Sequence, residues 1–80
     1  MRPLVEVRAG YLCEVCRAHG VEVIHHRKRR SQGGTNALAN LLGLCNDDHE
    51  KIHQSPAQAY DQGLLLRRGE LEVPYERRMT

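Results

Sequence analysis

The chain has no tryptophan and no phenylalanine, and its aromatic residues are limited to Tyr11, Tyr60 and Tyr75. The large side chains that usually fill a core are missing, so Leu, Val and Ala must do the filling. Eighty residues make one small domain at most. A chain of that size buries too little apolar surface to stand comfortably without a disulfide, a metal or a partner. Cysteine is scarce as well: Cys13, Cys16 and Cys45 are an odd set, which argues against a disulfide framework. No apolar run is long enough for a signal peptide or a membrane span. The expected setting is a reducing cytoplasm, where clustered cysteines more often bind a metal than one another. The expected staple is zinc.

Internal repeats, low-complexity segments and convincing linkers are also absent, so residues 1–80 read as a single domain. Net charge is only +2, but its distribution is uneven. Residues 1–53 carry eight Lys/Arg against six Asp/Glu, while residues 54–80 carry four of each. The excess centres on Arg27, Lys28, Arg29 and Arg30. Such a run is ordinarily a solvated face, yet it can also neutralise phosphates and bind nucleic acid without sequence preference. Its neighbours must decide.

The first twelve residues fit a short helix or a strand equally well. Val21-Glu-Val-Ile24 is β-branched and partly alternating, which predicts a strand ending near His26. Residues 27–36 are polar and contain Gly33-Gly34, the signature of a loop. Ala37 to Leu42 reads as a helical turn capped by Thr35 or Asn36. A clearer helix starts at Asn46 as its cap, with Asp47, Asp48 and Glu50 at the positive end of the dipole, and runs to about Gln54. Ser55 and Pro56 open another helix that Gly63 closes. Leu64–Arg67 and Glu70–Val73 around Arg68-Gly69 suggest a small hairpin.

Cys13-x-x-Cys16 has the spacing of a zinc knuckle, in which a tight turn aims two thiolates at one tetrahedral ion. A redox motif would need a βαβ setting that this chain lacks. Cys45 adds a third sulfur just before a helix, where a second knuckle would place its partner at residue 48. That residue is Asp48. A carboxylate can ligate zinc, although thiolate is preferred; His49, His19 and water are the other candidates for the fourth position.

Five histidines are many for this length. His19 suits an ordinary polar surface residue. His49 and His53 stand four apart on a predicted helix and project from one face, a spacing that suits chelation of one metal. His25 and His26 end a strand, where successive side chains point to opposite faces. Their duties should therefore differ, one towards a metal shared with His49 and His53, the other towards a water molecule.

Taken together, V-E-V-I-H-H-R-K-R-R-S-Q-G-G, Asn40 and N-L-L-G-L-C-x-x-x-H-x-x-x-H resemble the HNH endonucleases with a ββα-metal core. The cysteines look like the zinc-stapled branch of that family, often encoded by phages and bacteria. The resemblance covers residues 11–53. It implies a small α+β fold, a ββα-metal core at about 11–54 stapled by a zinc knuckle pair, with a C-terminal helix and hairpin over 55–80. It implies that His26 is the general base and that Asn40 ties the active-site loop and helps hold the base. His25, His49 and His53 take the positions that bind a catalytic divalent ion, with His53 also placed to contact phosphate. At position 25 this branch often has Asp and the colicin-type nucleases His. At position 48 the zinc-stapled branch usually has Cys, so Asp48 is the main departure.

The implied activity is hydrolysis of double-stranded DNA with weak sequence preference, including nicking, and genome-packaging machinery of phages is the implied partner context. Arg27, Lys28, Arg29 and Arg30 follow the base and would hold flanking phosphates. Three imidazoles favour Zn, Ni, Co or Mn over Mg, which prefers oxygen ligands. The chief alternative is a non-catalytic nucleic-acid-binding module with a closed site of Cys13, Cys16, Cys45 and His49. It leaves His25, His26, Asn40 and His53 without a role.

Overall fold

In the computed structural model of the chain, residues 2–75 are described, so residues 76–80 of the expected C-terminal segment lie outside them. Helix α1, Arg2–Arg8, settles the open reading of the N-terminus. A loop carrying the Cys13–Cys16 turn leads to strand β1, Val23–His26. A polar loop and strand β2, Leu41–Leu44, follow. Helices α2, Asn46–Gln54, and α3, Pro56–Asp61, complete the regular elements. The fold is small α+β, with one two-stranded antiparallel sheet and helices, as the sequence implies.

β1 pairs with β2 in a register that sets His25 opposite Leu42 and His26 opposite Leu41. All four residues of β2 are buried. Leu42 and Leu44 share a core with Cys13, Cys45, Ile52, Ala59, Leu64 and Leu65. On the other side Val5 of α1 approaches so closely that a Cβ on Gly43 would sit 3.3 Å from it and 2.9 Å from Val21. Gly43 is what lets α1 close over the sheet. Glu14 binds that same spot, accepting from the Gly43 amide at 2.8 Å and from both Nε and Nη2 of Arg8.

Three local expectations need correction. The helical turn expected over Ala37–Leu42 is a single 3-10 turn, Leu38–Asn40, after which the chain turns extended into β2. Thr35 does contribute there, its Oγ1 accepting from the Ala37 amide at 3.2 Å. Asn46 does not cap α2; Cys45 holds the cap position without a side-chain bond. Instead Glu22, immediately before β1, accepts from both the amide and the side chain of Asn46 at 3.1 and 2.8 Å. A carboxylate at the positive end of the helix dipole does the cap's work from another element.

The expected hairpin is not formed. Leu64, Leu65 and Leu66 are all buried, and a strand with one solvent face cannot bury three successive side chains. The segment enters the core instead, and the Leu66 amide donates to the Arg27 carbonyl. Only the turn survives, with Gly69 at φ +91° and the Glu70 amide bonded to the Arg67 carbonyl.

Candidate functional site

Two clusters of ligand-bearing side chains flank helix α2. The first joins the knuckle turn to the start of the helix. Ligand atoms of Cys13, Cys16, Cys45 and Asp48 all lie within 4.8 Å of one another, and among the described residues no other set of donors is gathered so closely. Cys13 and Cys45 donate to Asp48 Oδ2 at 3.1 and 3.3 Å, and the Cys16 and Cys45 sulfurs are 3.8 Å apart. Two thiolates on a tetrahedral zinc, each at about 2.3 Å, would be separated by about 3.8 Å. The donor set could hold a tetrahedral ion, and the fourth donor gathered beside the three sulfurs is the Asp48 carboxylate.

Burial pushes the Cys45 thiol up to about 12 and raises Cys13 too, the latter despite backbone N–H groups of Cys16, Cys45 and Val15 that favour its thiolate. Burial works against ionisation of Asp48 as well. Thiol hydrogen bonds from Cys13, Cys16 and Cys45, together with the charge of Lys51, outweigh it and hold the carboxyl below its usual range. With Cys13 and Cys45 held as thiols beside one carboxylate, the site must release protons to take a metal.

The second cluster lies between β1 and α2. His25 is buried and His26, next along the strand, is half-buried on the opposite face. The His25 ring meets that of His49 edge-on, with centroids 5.5 Å apart, and His49 meets His53 at 4.7 Å. His25 Nε2 lies 2.7 Å from the Leu64 carbonyl. A carbonyl only accepts, so Nε2 carries the hydrogen and Nδ1 keeps the lone pair. Metal-ligating histidines are commonly oriented this way. Burial, against the pull of that carbonyl, pushes the His25 pKa down to about 4, and burial with the neighbouring His53 lowers His49. Both imidazoles are thus held in the neutral form that a divalent ion requires.

Asn40 is fully buried and spans the loop after β1. Its Oδ1 accepts from the Lys28 amide at 2.8 Å, and its Nδ2 donates to the carbonyls of Lys28 and Thr35 at 3.0 and 2.8 Å. His26 Nε2 lies 2.9 Å from Asn36 Oδ1 on the returning arm of that loop.

The four cations divide. Arg27 and Lys28, expected to face phosphate, are buried. The Arg27 guanidinium donates to the carbonyls of Gly63 and Ala39 at 2.8 Å each and to that of Val73; Lys28 Nζ donates to the Glu70 carbonyl. The cause is the C-terminal segment, which folds back over the loop and presents carbonyls needing donors. Arg29 and Arg30 remain exposed, with Arg68 brought beside them by a 3.1 Å bond from its Nη2 to the Ser31 carbonyl. Sequence reasoning missed Glu22, Asn36, Glu72 and the Leu64 carbonyl. The acceptor pattern of Asn36, a short amide in a glycine loop returning towards a strand end, was the one signal available for any of them.

The family model described as HNH endonuclease matches residues 13–55, a span that contains both clusters, His25, His26 and Asn40. No curated protein and no solved structure matches the chain.

Proposed function

The chain belongs to the HNH endonuclease family, and on that premise we propose that it is a metal-dependent nuclease hydrolysing DNA phosphodiester bonds with weak sequence preference. The observation that carries this reading is the split at the end of β1: His25 turns inward to His49 and His53, while His26 turns outward onto Asn36.

Cleavage needs an activated water, relief of charge on the five-coordinate phosphorus, and help for the leaving oxygen. His26 takes the proton from the attacking water, a task suited to an imidazole, whose ordinary pKa is about 6.5. The oxygen of that water bonds to phosphorus as the bond to the 3′ oxygen breaks. A divalent ion on His25, His49 and His53 would supply Lewis-acid stabilisation of the phosphate and the leaving oxygen. Three imidazoles favour Zn, Ni, Co or Mn over Mg for that place. Exposed Arg29 and Arg30, rather than all four cations, hold flanking phosphates; such backbone contacts position a duplex and carry little sequence information. Cys13, Cys16, Cys45 and Asp48 would hold a separate zinc, whose duty there would be structural.

The rival module, closed by three thiolates and one imidazole, needs His49 among the sulfurs. Its ring instead adjoins His25 and His53, which disfavours that reading. The test is digestion of supercoiled plasmid after chelation, with Zn2+, Ni2+, Co2+, Mn2+ and Mg2+ restored one at a time, beside His26→Ala. Cleavage should return with at least one ion and fall about a hundredfold or more in the variant, as for loss of a general base. A variant that cuts as fast as the parent would remove His26 from the mechanism, and digestion confined to one short sequence would refute weak preference.

A further inference from the structure

A neutral imidazole has one nitrogen able to take a proton, and which one it is depends on the hydrogen bond made by the other. In His26 that choice is made by a residue the family reading leaves unassigned. Nε2 lies 2.9 Å from Asn36 Oδ1. An amide oxygen only accepts, so the contact places the hydrogen on Nε2 and leaves the lone pair on Nδ1. We propose that Asn36 is the positioning residue for His26, fixing both ring orientation and the tautomer that makes Nδ1 the proton acceptor. This rests on the nuclease reading of His26.

The surroundings of Asn36 are built for that duty. Its neighbour Thr35 is held from two sides. The Thr35 amide and Oγ1 donate to the two carboxylate oxygens of Glu72 at 2.9 and 2.5 Å. The Thr35 carbonyl accepts from Asn40 Nδ2 at 2.8 Å. Asn40 also grips both backbone groups of Lys28, two residues beyond His26. One buried amide therefore fixes both ends of the His26–Asn36 hydrogen bond. The loop between them, residues 29–34, turns back at Gly33, where φ is +85°. Asn40 accordingly acts on the base through Asn36, which gives physical content to its role of holding the base.

Substitution separates an accepting from a donating role. Aspartate can only accept at this position, alanine can do neither, and an asparagine turned the other way would donate to Nε2 and force the hydrogen onto Nδ1. The experiment is two-bond 1H–15N correlation NMR of histidine-labelled, zinc-loaded protein, with His26 assigned by comparison with His26→Gln. Plasmid nicking is measured beside it. The parent and Asn36→Asp should show His26 protonated at Nε2, and Asn36→Ala a mixture of tautomers. The nicking kcat should fall about ten- to hundredfold in Asn36→Ala, a range typical of groups that orient a working histidine. It should recover most of its rate in Asn36→Asp, with KM changed less than about twofold in both.

Protonation of parent His26 at Nδ1, or a tautomer unmoved by Asn36→Ala, would overturn the proposal. So would loss of both the Nε2–H signature and the rate in Asn36→Asp. The spectrum reads the contact without catalysis. A parent that cuts no DNA but whose tautomer follows the variants as stated would sink the nuclease reading alone and leave the Asn36 contact standing.

Discussion

Asp48 is the one carboxylate among the gathered sulfurs, and its chemistry defines what the knuckle cluster can do. It sits among three thiols whose hydrogen bonds outweigh burial and keep its carboxyl ionised. A carboxylate oxygen is a harder ligand than a thiolate, so three thiolates and a carboxylate should hold zinc less tightly than four thiolates. Asp48→Cys is therefore expected to tighten zinc binding at neutral pH by at least about tenfold, with one more proton released per ion. Competition with a chromophoric chelator measures the first quantity and a pH-indicator titration the second. Unchanged or weaker affinity would show that these four side chains do not share one ion. His25 follows the opposite logic: burial keeps it neutral against the pull of the Leu64 carbonyl, which holds Nε2 and leaves Nδ1 available.

At the level of elements, the proposed mechanism rests on the loop between β1 and β2. Its geometry depends on Gly34, where a Cβ would fall onto the Lys28 carbonyl and close to that of Arg29. Those are main-chain atoms, and the Lys28 carbonyl is already bound by Asn40. Gly34→Ala must therefore move the loop rather than a side chain. It is expected to reduce nicking about a hundredfold or more, since small misplacement of catalytic groups has costs of that order. Zinc content should stay unchanged, because no knuckle ligand lies in the loop. Full activity in this variant would mean that the loop's path does not position the base. Much of this element was legible. His-His at a strand end and Gly33-Gly34 mark its course in the residues themselves, whereas Asn40 was implied by the family resemblance alone. Other elements were not, for identifiable reasons. Strand β2 is a run of four buried residues, Leu41 to Leu44, and so short an apolar run has no periodicity to separate strand from helix. The hairpin failed because Leu64-Leu65-Leu66 is as good a core segment as a strand, and only the space beside Ile52 and Ala59 decides. Burial of Arg27 and Lys28 followed from carbonyls of residues 63–73, whose return over the loop leaves no local mark.

For the molecule as a whole, the two clusters have opposite consequences for stability. Cys13 and Cys45 are at the centre of the core, packed with Leu42, Leu44 and Ile52. In a chain this short a metal bound there contributes folding free energy directly. Chelation should therefore lower the melting temperature steeply, and it exposes the contribution of the histidine cluster in the metal-free protein. There His25 is buried with its pKa pushed down to about 4, against about 6.5 in the unfolded chain. Between these two values the unfolded chain binds a proton that the native chain does not. Native stability therefore falls as pH drops from about 6.5 towards 4, and below 4 this group adds no further loss. A gap of about 2.5 pH units corresponds to about 3 kcal/mol. That is a large share of what so small a domain can possess. Asp48, whose pKa is depressed, loses its contribution only at the lower pH where its carboxyl protonates, so the two groups separate along the pH axis. Urea unfolding of the chelated protein at a series of pH values from 7 to 4 reads the slope directly. His25→Gln keeps a donor for the Leu64 carbonyl and cannot titrate. Its stability should decline less over the same window, by up to about 3 kcal/mol. Parallel curves for the two proteins would mean that His25 is not held neutral by burial, and the inward half of the histidine pair would lose its role as a ready ligand.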